Sequence, residues 1–344
     1  MIKTRAFLGA LAAIGLAGQA DANDSMAQMK TGGLEFVQND DVVMAEEKLY
    51  VSPEKVTVDY RFHNNSTKDV ESLVAFPMPD LESGVELNVA IDYDAGDNFL
   101  GFTVNQDGKD IKPELQQQAF VHGVDLTDRL KALNIPLIPN SQASTTALEK
   151  LPADKLAELV TLGLARVDRW DDGNGMKDHP TSNWTLRSVY WWKTVYPAGK
   201  DVIVKHSYKT SVGGTVDLTY LDENGQPKGE QWDDYLKRYC LDDDFLKAAM
   251  KLDKSQNFDA GLYYFEQWLS YILMTGNNWF GPIEDFHLTV DKGKTDNIIS
   301  FCGEGIKKTG PTTFEMRAKD FVPAKDLDIL MVVSSKDWNP GNQP

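Results

Sequence analysis

Cysteine is scarce in this chain: Cys240 and Cys302 are the only two among 344 residues. No C-x-x-C occurs, which removes a dithiol redox motif and a cysteine-based zinc site. Histidine is sparse too. His63, His122, His179, His206 and His287 never fall at helical i, i+4 spacing, and there is no H-E-x-x-H. Positive charge is in deficit, with 35 Lys and Arg against 52 Asp and Glu and a net charge of −17. Such a chain repels phosphate backbones and anionic membrane surfaces, which excludes a nucleic-acid binder. Apart from the first residues, no apolar run is long enough to span a bilayer. A nucleophile elbow G-x-S-x-G is missing, and the glycines of "SVGG" have neither the P-loop nor the dinucleotide spacing.

What is present begins with "MIKTRAFLGALAAIGLAGQADANDS". Lys3 and Arg5 precede a small apolar run over residues 6–18, and Ala20-Asp21-Ala22 fits the small-x-small cleavage rule. The run is about 13 residues against the roughly 20 of a membrane span, so it reads as a cleaved signal ending at Ala22. The exported chain then starts at Asn23 and lies in the periplasm or outside the cell. Its net charge is −18 once Lys3, Arg5 and Asp21 are gone. In that compartment an even cysteine count reads as one disulfide, Cys240–Cys302, closing a loop of about 60 residues, with a pair of buried thiols as the alternative.

Alternating strands appear early. "EKVTVDYRF" sets Val56, Val58, Tyr60 and Phe62 against polar neighbours, "HNNSTKD" supplies a turn, and "VESLVAFPMPD" returns as a hairpin partner. "VELNVAIDYD" (85–94) is another strand, and "FLGFTVNQDGKDI" reads strand, Asp-Gly turn, strand. From residue 113 the period changes to helical, with "RWDDGNGMKDHPTSN" as a loop before strands resume at "WTLRSVYWWKTVYPAG" and "KDVIVKHSYKTSVGG". "EQWDDYLKRYCLDDDFLKAAM" is helical, as one helix or two. "NFDAGLYYFEQWLSYILMTGNN" reads as a further helix, "DFHLTVDKGKTDNIISFC" as a hairpin and "TTFEMRAKDFVPAKDLDILMVV" as two strands. The expected fold is mainly β, α+β overall: an antiparallel β-sandwich-like architecture with a helical insertion and a C-terminal helix pair plus hairpins. Its expected parts are a signal (1–22), a first sandwich portion (23–112), a mostly helical insertion (113–183), more sandwich (184–222), helices with the last strands (223–338) and a tail (339–344).

Candidate chemistry is thin. Asp168, Asp171, Asp172, Asn174 and Asp178 gather hard oxygens beside glycines, so calcium is the one cofactor candidate. Read as an EF-hand from Asp168, however, the loop puts Trp170 at position 3 and His179 at position 12, and a solvated acidic loop is preferred. His206 and His287 sit in alternating strands, where a packed or surface imidazole is the default. Trp191 and Trp192 point to opposite faces of one strand, so one is core; the other is read as a seat for the insertion. Trp279, in "TGNNWFGPIEDF", is read as a buried plug with its indole N–H on a backbone carbonyl. The rival reading makes Trp170, Trp192 and Trp279 exposed ligand aromatics.

Several strings together, "ANDSMAQMKTGGLEF", "LYVSPEKVTVDYRFHNNSTKDVESLVAFPMPD", "YPAGKDVIVKHSYKTSVGG" and "YILMTGNNWFGPIEDFHLTVDKGKTDNIISFCGEGIKKTGPTTFEMRAKDFVP", resemble the bacterial exported family known as domain-of-unknown-function family 4424. The resemblance covers nearly the whole exported chain and is weakest in the helical insertion. It implies a periplasmic or secreted protein of a Gram-negative bacterium and supplies no activity and no catalytic residues. "VTVDYRFHN" and "VAFPMPD" are also similar in strand pattern to the first strands of vault/inter-α-trypsin-like domains. The expected role is a non-enzymatic envelope scaffold or interaction module for a protein or cell-wall partner. The alternatives are a hydrolase built from acidic residues and a carbohydrate or small-ligand receptor.

Overall fold

The computed structural model describes residues 23–30, 33–83, 88 and 89 by backbone, 95–215 and 217–337. The expected leader, most of the predicted strand 85–94 and the tail lie outside the described residues. Strands β1 (Ser25–Lys30), β2 (Gly33–Phe36), β3 (Val42–Val51), β4 (Lys55–Asn64), β5 (Val70–Pro77) and β6 (Asn88–Val89) come first. β7 (Thr103–Gln106), β8 (Lys109–Ile111), β9 (Glu114–Val121) and β10 (Val124–Asp125) lead to helices α1 (Thr127–Ala132), α2 (Gln142–Glu149) and α3 (Ala153–Thr161). Then follow β11 (Ala165–Asp171), β12 (Met176–Ser182), β13 (Thr185–Tyr196), β14 (Asp201–Lys209), β15 (Gly213–Gly214), and helices α4 (Gly229–Arg238) and α5 (Asp243–Lys254). β16 (Tyr264–Tyr271), β17 (Ile283–Asp291), β18 (Ile298–Phe301), β19 (Lys307–Lys308), β20 (Thr313–Phe321) and β21 (Leu327–Ser334) complete the order.

The fold is mainly β with helices attached, as expected. One sheet runs β10-β9-β13-β5-β1-β2, a second β19-β20-β17-β3-β4-β14-β7-β8, and a third β18-β21-β16-β15-β6, with β11-β12 a separate pair. Among the described strands, pairing is antiparallel except between β17 and β3. The main core lies where the three sheets face one another. Phe76, Tyr190 and Trp192 come from the first, Val58, Phe62 and Val204 from the second, and Leu269, Ile329 and Met331 from the third. β4 buries Val56, Val58, Tyr60 and Phe62 in strict alternation, the period-2 signature of a strand with one face on the core. β21 is buried on both faces, because Leu330 and Val332 turn instead to a second cluster under α4 and α5. Its continuous apolar run follows from that position.

Four local readings are corrected. Residues 54–79 do not form a hairpin: β4 belongs to the second sheet and β5 to the first. The buried Asn64 makes the corner, its Nδ2 donating to the carbonyls of Lys68 (2.8 Å) and Tyr196 (2.7 Å). The helix expected over 257–278 is the strand β16, paired along its length with β21. The spacing Phe265 to Leu269 fits both periods, and the alternation of buried Leu269, exposed Ser270 and buried Tyr271, with the aromatics around it, suits a pleated surface. The stretch 285–302 is not a hairpin either, since β17 and β18 lie in different sheets. The expected loop over 169–183 is largely the hairpin β11–β12, turning through Gly173 and Gly175 at positive φ.

Between residues 113 and 183 the chain contributes β9 to the first sheet, then α1–α3, then β11–β12. The flanking strands share sheets, β5 with β13 and β4 with β14. The helices close over Ala119, Leu130, Leu148, Leu159 and Trp184, and Trp184 Nε1 donates to the Leu137 carbonyl at 2.8 Å. Trp184 is therefore the aromatic on which the helical segment docks. Trp192 is the core member of the tandem pair, and Trp191 packs beside Leu34 and Phe36 of β2 rather than under the helices.

Candidate functional site

The described residues concentrate their unusual chemistry inside the fold, where the first residues of β1 meet the other two sheets. β3 begins with Val42 and Met44 pointing inward. A bulge between Met44 and Glu46 then shifts the register, so that Glu47, Leu49 and Val51 face the core. Such an extra residue re-aims every side chain after it, and here it carries a carboxylate to complete burial. β14 brings His206 in through its alternation Val202, Val204, His206, Tyr208. Asn23 and Asp24 are 0 % exposed, as is Glu47.

The contacts are dense. Asp24 Oδ1 lies 2.9 Å from His206 Nε2. The Asn23 backbone N–H donates to Thr275 Oγ1 at 2.6 Å, and its Nδ2 donates to Glu47 Oε2 at 3.2 Å. The Tyr60 hydroxyl donates to Asn23 Oδ1 at 2.5 Å and lies 2.9 Å from the Tyr271 hydroxyl. Trp279 Nε1 donates to the Asp24 carbonyl at 2.6 Å, and Asn278 Nδ2 to Ser25 Oγ at 2.9 Å. The imidazole of His206 is boxed by the rings of Tyr60, Phe76, Phe102 and Trp192.

Burial dominates the electrostatics, because a low-dielectric interior penalises the charged form of an acid. It pushes Asp24 up against the opposing pull of His206. It pushes Glu47 up to about 8, opposed by the hydrogen bond from Asn23 and reinforced by the charge of Asp24, with a smaller favourable contribution from Tyr271. Burial also holds the phenols of Tyr60, Tyr196 and Tyr271 well above their usual range. Raised carboxylates often mark catalytic acids, but these two side chains are wholly buried. Glu266, under α4, is a second interior acid. Its Oε2 accepts from the Tyr235 hydroxyl at 2.7 Å, and its Oε1 takes the backbone N–H and hydroxyl of Thr219.

The calcium candidates are strung along β11–β12. Asp168 holds Arg166 and Thr181 at 2.8 Å each, Asp172 holds Lys177, and Asp171 accepts the N–H groups of Gly173 and Gly175. Asp178 pairs loosely with Arg169, and the Asn174 N–H is taken by Asp172. Among the described residues no group of three or more His, Cys, Asp or Glu side chains is placed to hold a metal ion. The three aromatics do not share a concavity. Trp192 and Trp279 are each 3 % exposed and belong to the core. Trp170 is exposed and stacks on His179 at 3.8 Å. The disulfide is formed, Cys240 to Cys302, with Cα atoms 5.1 Å apart. His287 pairs with Glu315 at the surface of β17 and β20.

The interior cluster was missed from sequence because half of it comes from the first two residues after the expected cleavage point. A signal existed for Glu47, which shares parity with Leu49 and Val51 in "VVMAEEKLYV". The expectation that the chain holds no S-x-x-K string is corrected by Ser52-Pro53-Glu54-Lys55. It is the β3–β4 turn, in which Ser52 Oγ accepts from the Lys55 N–H at 3.1 Å, with no helix to present a nucleophile.

Among the described residues, concavities open at the surface in at least two places. A groove of about 820 Å³ lies between Leu73 of β5, Lys193 and Thr194 of β13, and the β7–β8 hairpin with Lys109 and Ile111. A smaller one of about 480 Å³ sits over Trp279, rimmed by Asn39, Asn277, Phe280 and Val322.

The description of a domain of unknown function, DUF4424, matches residues 22–330, nearly the whole chain. The protein belongs to the DUF4424 family. No curated protein matches it. Among solved structures, the DUF4424 chain is similar to a Legionella pneumophila protein described as a candidate nutrient binding protein. Identity is 14 %, the TM-score is 0.42, and the match covers 91 % of this chain and 70 % of that one. Among its described residues, this DUF4424 protein has no helix long and apolar enough to cross a membrane.

Proposed function

We propose that the protein is exported and works in the periplasm or outside the cell as a non-enzymatic β scaffold that binds an envelope partner, a protein or a cell-wall component. The observation that carries this reading is the division between interior and surface. The acids with raised proton affinity, Asp24 and Glu47, are sealed at 0 % exposure, whereas the surface offers an open groove of mixed polar and apolar lining. A hydrolase needs the reverse, convergent acids at the floor of a cleft. β8 is a three-residue edge strand at the end of its sheet. An edge beside a groove suits an extended segment of a partner, which adds main-chain hydrogen bonds while its side chains enter the groove.

Site-specific photocrosslinking in cells tests this. A photoreactive residue at Lys193 or Val195, both exposed in the groove, should give a discrete adduct, and one at Lys247 on α5 should give none. Equal labelling from all three positions, or turnover of a hydrolase substrate by the purified protein, would reject the scaffold reading. A second reading, a carbohydrate receptor, is favoured by the rim of the smaller concavity, where Phe280 is 46 % exposed beside the amides of Asn39 and Asn277. Aromatic faces next to amides suit sugars, and Phe280→Ala should then abolish retention on a cell-wall glycan column.

A further inference from the structure

Asn23 has an environment that a residue in the middle of a chain does not require. It is fully buried and held at three atoms: its N–H by Thr275, its Nδ2 by Glu47 and its Oδ1 by Tyr60. Around it stand two buried carboxylates, Asp24 and Glu47, and one buried imidazole, His206. Among the described residues, Asp24 Oδ2 has no hydrogen-bond partner, and Glu47 Oε1 has none in bonding geometry although the Tyr271 hydroxyl faces that carboxyl. Glu266 shows how the same fold satisfies an interior acid when it has neutral donors, with both oxygens occupied. Two carboxyl groups thus stand side by side in the interior, each with an oxygen that no donor meets in bonding geometry. Buried carboxylates are ordinarily paired and hydrogen-bonded.

The bond that precedes Asn23 is Ala22–Asn23, the end of Ala20-Asp21-Ala22. We infer that the α-amino group of Asn23, freed by a leader peptidase, is a structural ammonium ion of the mature protein, and that the Glu47–Asp24–Thr275 cluster is the site built to receive it. The hydrolysis adds one water: the C–N bond breaks, Ala22 keeps the carboxylate, and Asn23 leaves as an amine that takes up a proton. A peptide N–H offers one donor, which Thr275 already uses. An ammonium offers three, leaving two for the carboxylate oxygens of the cluster, and it sets a positive charge beside them. Charge-assisted bonds of this kind are about twice as strong as neutral ones. Removal of the leader thereby completes the core: the precursor folds with a protonated acid in the interior, and the processed chain replaces it with an ion pair. The inference rests on the export reading only for the position of the cut.

The test uses chains with defined starts, so its outcome is independent of export. One is released from a fusion to begin at Asn23; the other retains Ala22. In the chain beginning at Asn23, an amine-reactive label should modify the α-amino group roughly tenfold or more slowly in the native than in the denatured state. Its melting midpoint should exceed that of the Ala22-extended chain, and the difference should vanish with Glu47→Gln in both. Equal labelling in native and denatured protein, or a difference that survives Glu47→Gln, would overturn the inference. The labelling arm needs no variant and decides the matter even if Glu47→Gln fails to fold. Intact mass of protein recovered from cells checks the export reading separately, with an Asn23 start expected.

Discussion

At the scale of single residues the interior is a contest between desolvation and pairing. Trp279 illustrates the pairing side. Its ring lies 4.3 Å from Phe62 and 5.7 Å from Tyr196, and its N–H holds the Asp24 carbonyl, so one side chain ties the 274–282 turn to the start of β1. Trp279→Ala should cost about 3–5 kcal/mol, as other buried aromatic truncations do, read as a lower denaturant midpoint. Trp279→Phe keeps most of the ring but strands the carbonyl, at a cost of about 1–3 kcal/mol. An unchanged midpoint for Trp279→Ala would discard the plug. Glu47 illustrates the desolvation side. In a chain with Ala22 still attached, the folded-state value of about 8 lies above the ordinary 4.5. The native state therefore keeps a proton that the unfolded state loses. Stability is full below about pH 4.5, falls as pH rises, and levels off above about pH 8. The other groups facing this carboxyl are Asp24, Tyr60 and Tyr271, with His206 behind Asp24. Glu47→Gln in that extended chain should flatten the profile over this window in pH-dependent urea melts; an unchanged slope would show that another group titrates.

At the scale of elements, alternation is the pattern that survives translation from sequence to structure. β4 and β14 were legible because each has one face on the core and one on solvent, so the period of two is printed in residue type. The disulfide was legible from count and compartment. β16 was not, because Phe265, Leu269 and the aromatics around them satisfy a helical period as well as a pleated one over eight residues, and only pairing with β21 decides. The sheet assignment of β4 and β5 was equally hidden: a turn-rich segment looks the same whether the next strand pairs back or crosses to another sheet, and Asn64 settles it through contacts 132 residues away. Cys240–Cys302 joins the residues just after α4 to the end of β18, across 62 residues of sequence. Cys240→Ser with Cys302→Ser should lower stability by roughly 4 kcal/mol on the loop-entropy argument. The loss should be read first as protease cutting within α4–α5, since that layer is packed on the outer face of the third sheet. Cleavage that begins instead in α1–α3 would show that the bond does not serve this layer.

At the scale of the whole molecule, the first described residues lie against a turn far along the chain. The Asn23 N–H meets Thr275, 252 residues away, and Trp279 meets Asp24 across 255. Chain ends are usually the least ordered parts of a domain, and loops of that length are entropically costly to close, though the cost grows only slowly with length. Here β1 pairs on both sides, with β2 and β5, and its first residues fill the centre of the core. The helical layers, by contrast, pack on clusters of their own, Leu130, Leu148 and Leu159 on one side and Tyr235, Phe245 and Ala249 on the other. Local opening should follow this division. Native-state hydrogen exchange should place the amides of Met26 and Ala27 in the slowest class, with those of β4 and β14, and the amides of α1–α3 and α5 in a faster one. The ordering is the check. If the β1 amides exchange with the outer helices or before them, the N-terminal strand is an appendage laid on a finished sandwich. If they exchange with β4 and β14, its insertion belongs to the same cooperative step that closes the three sheets.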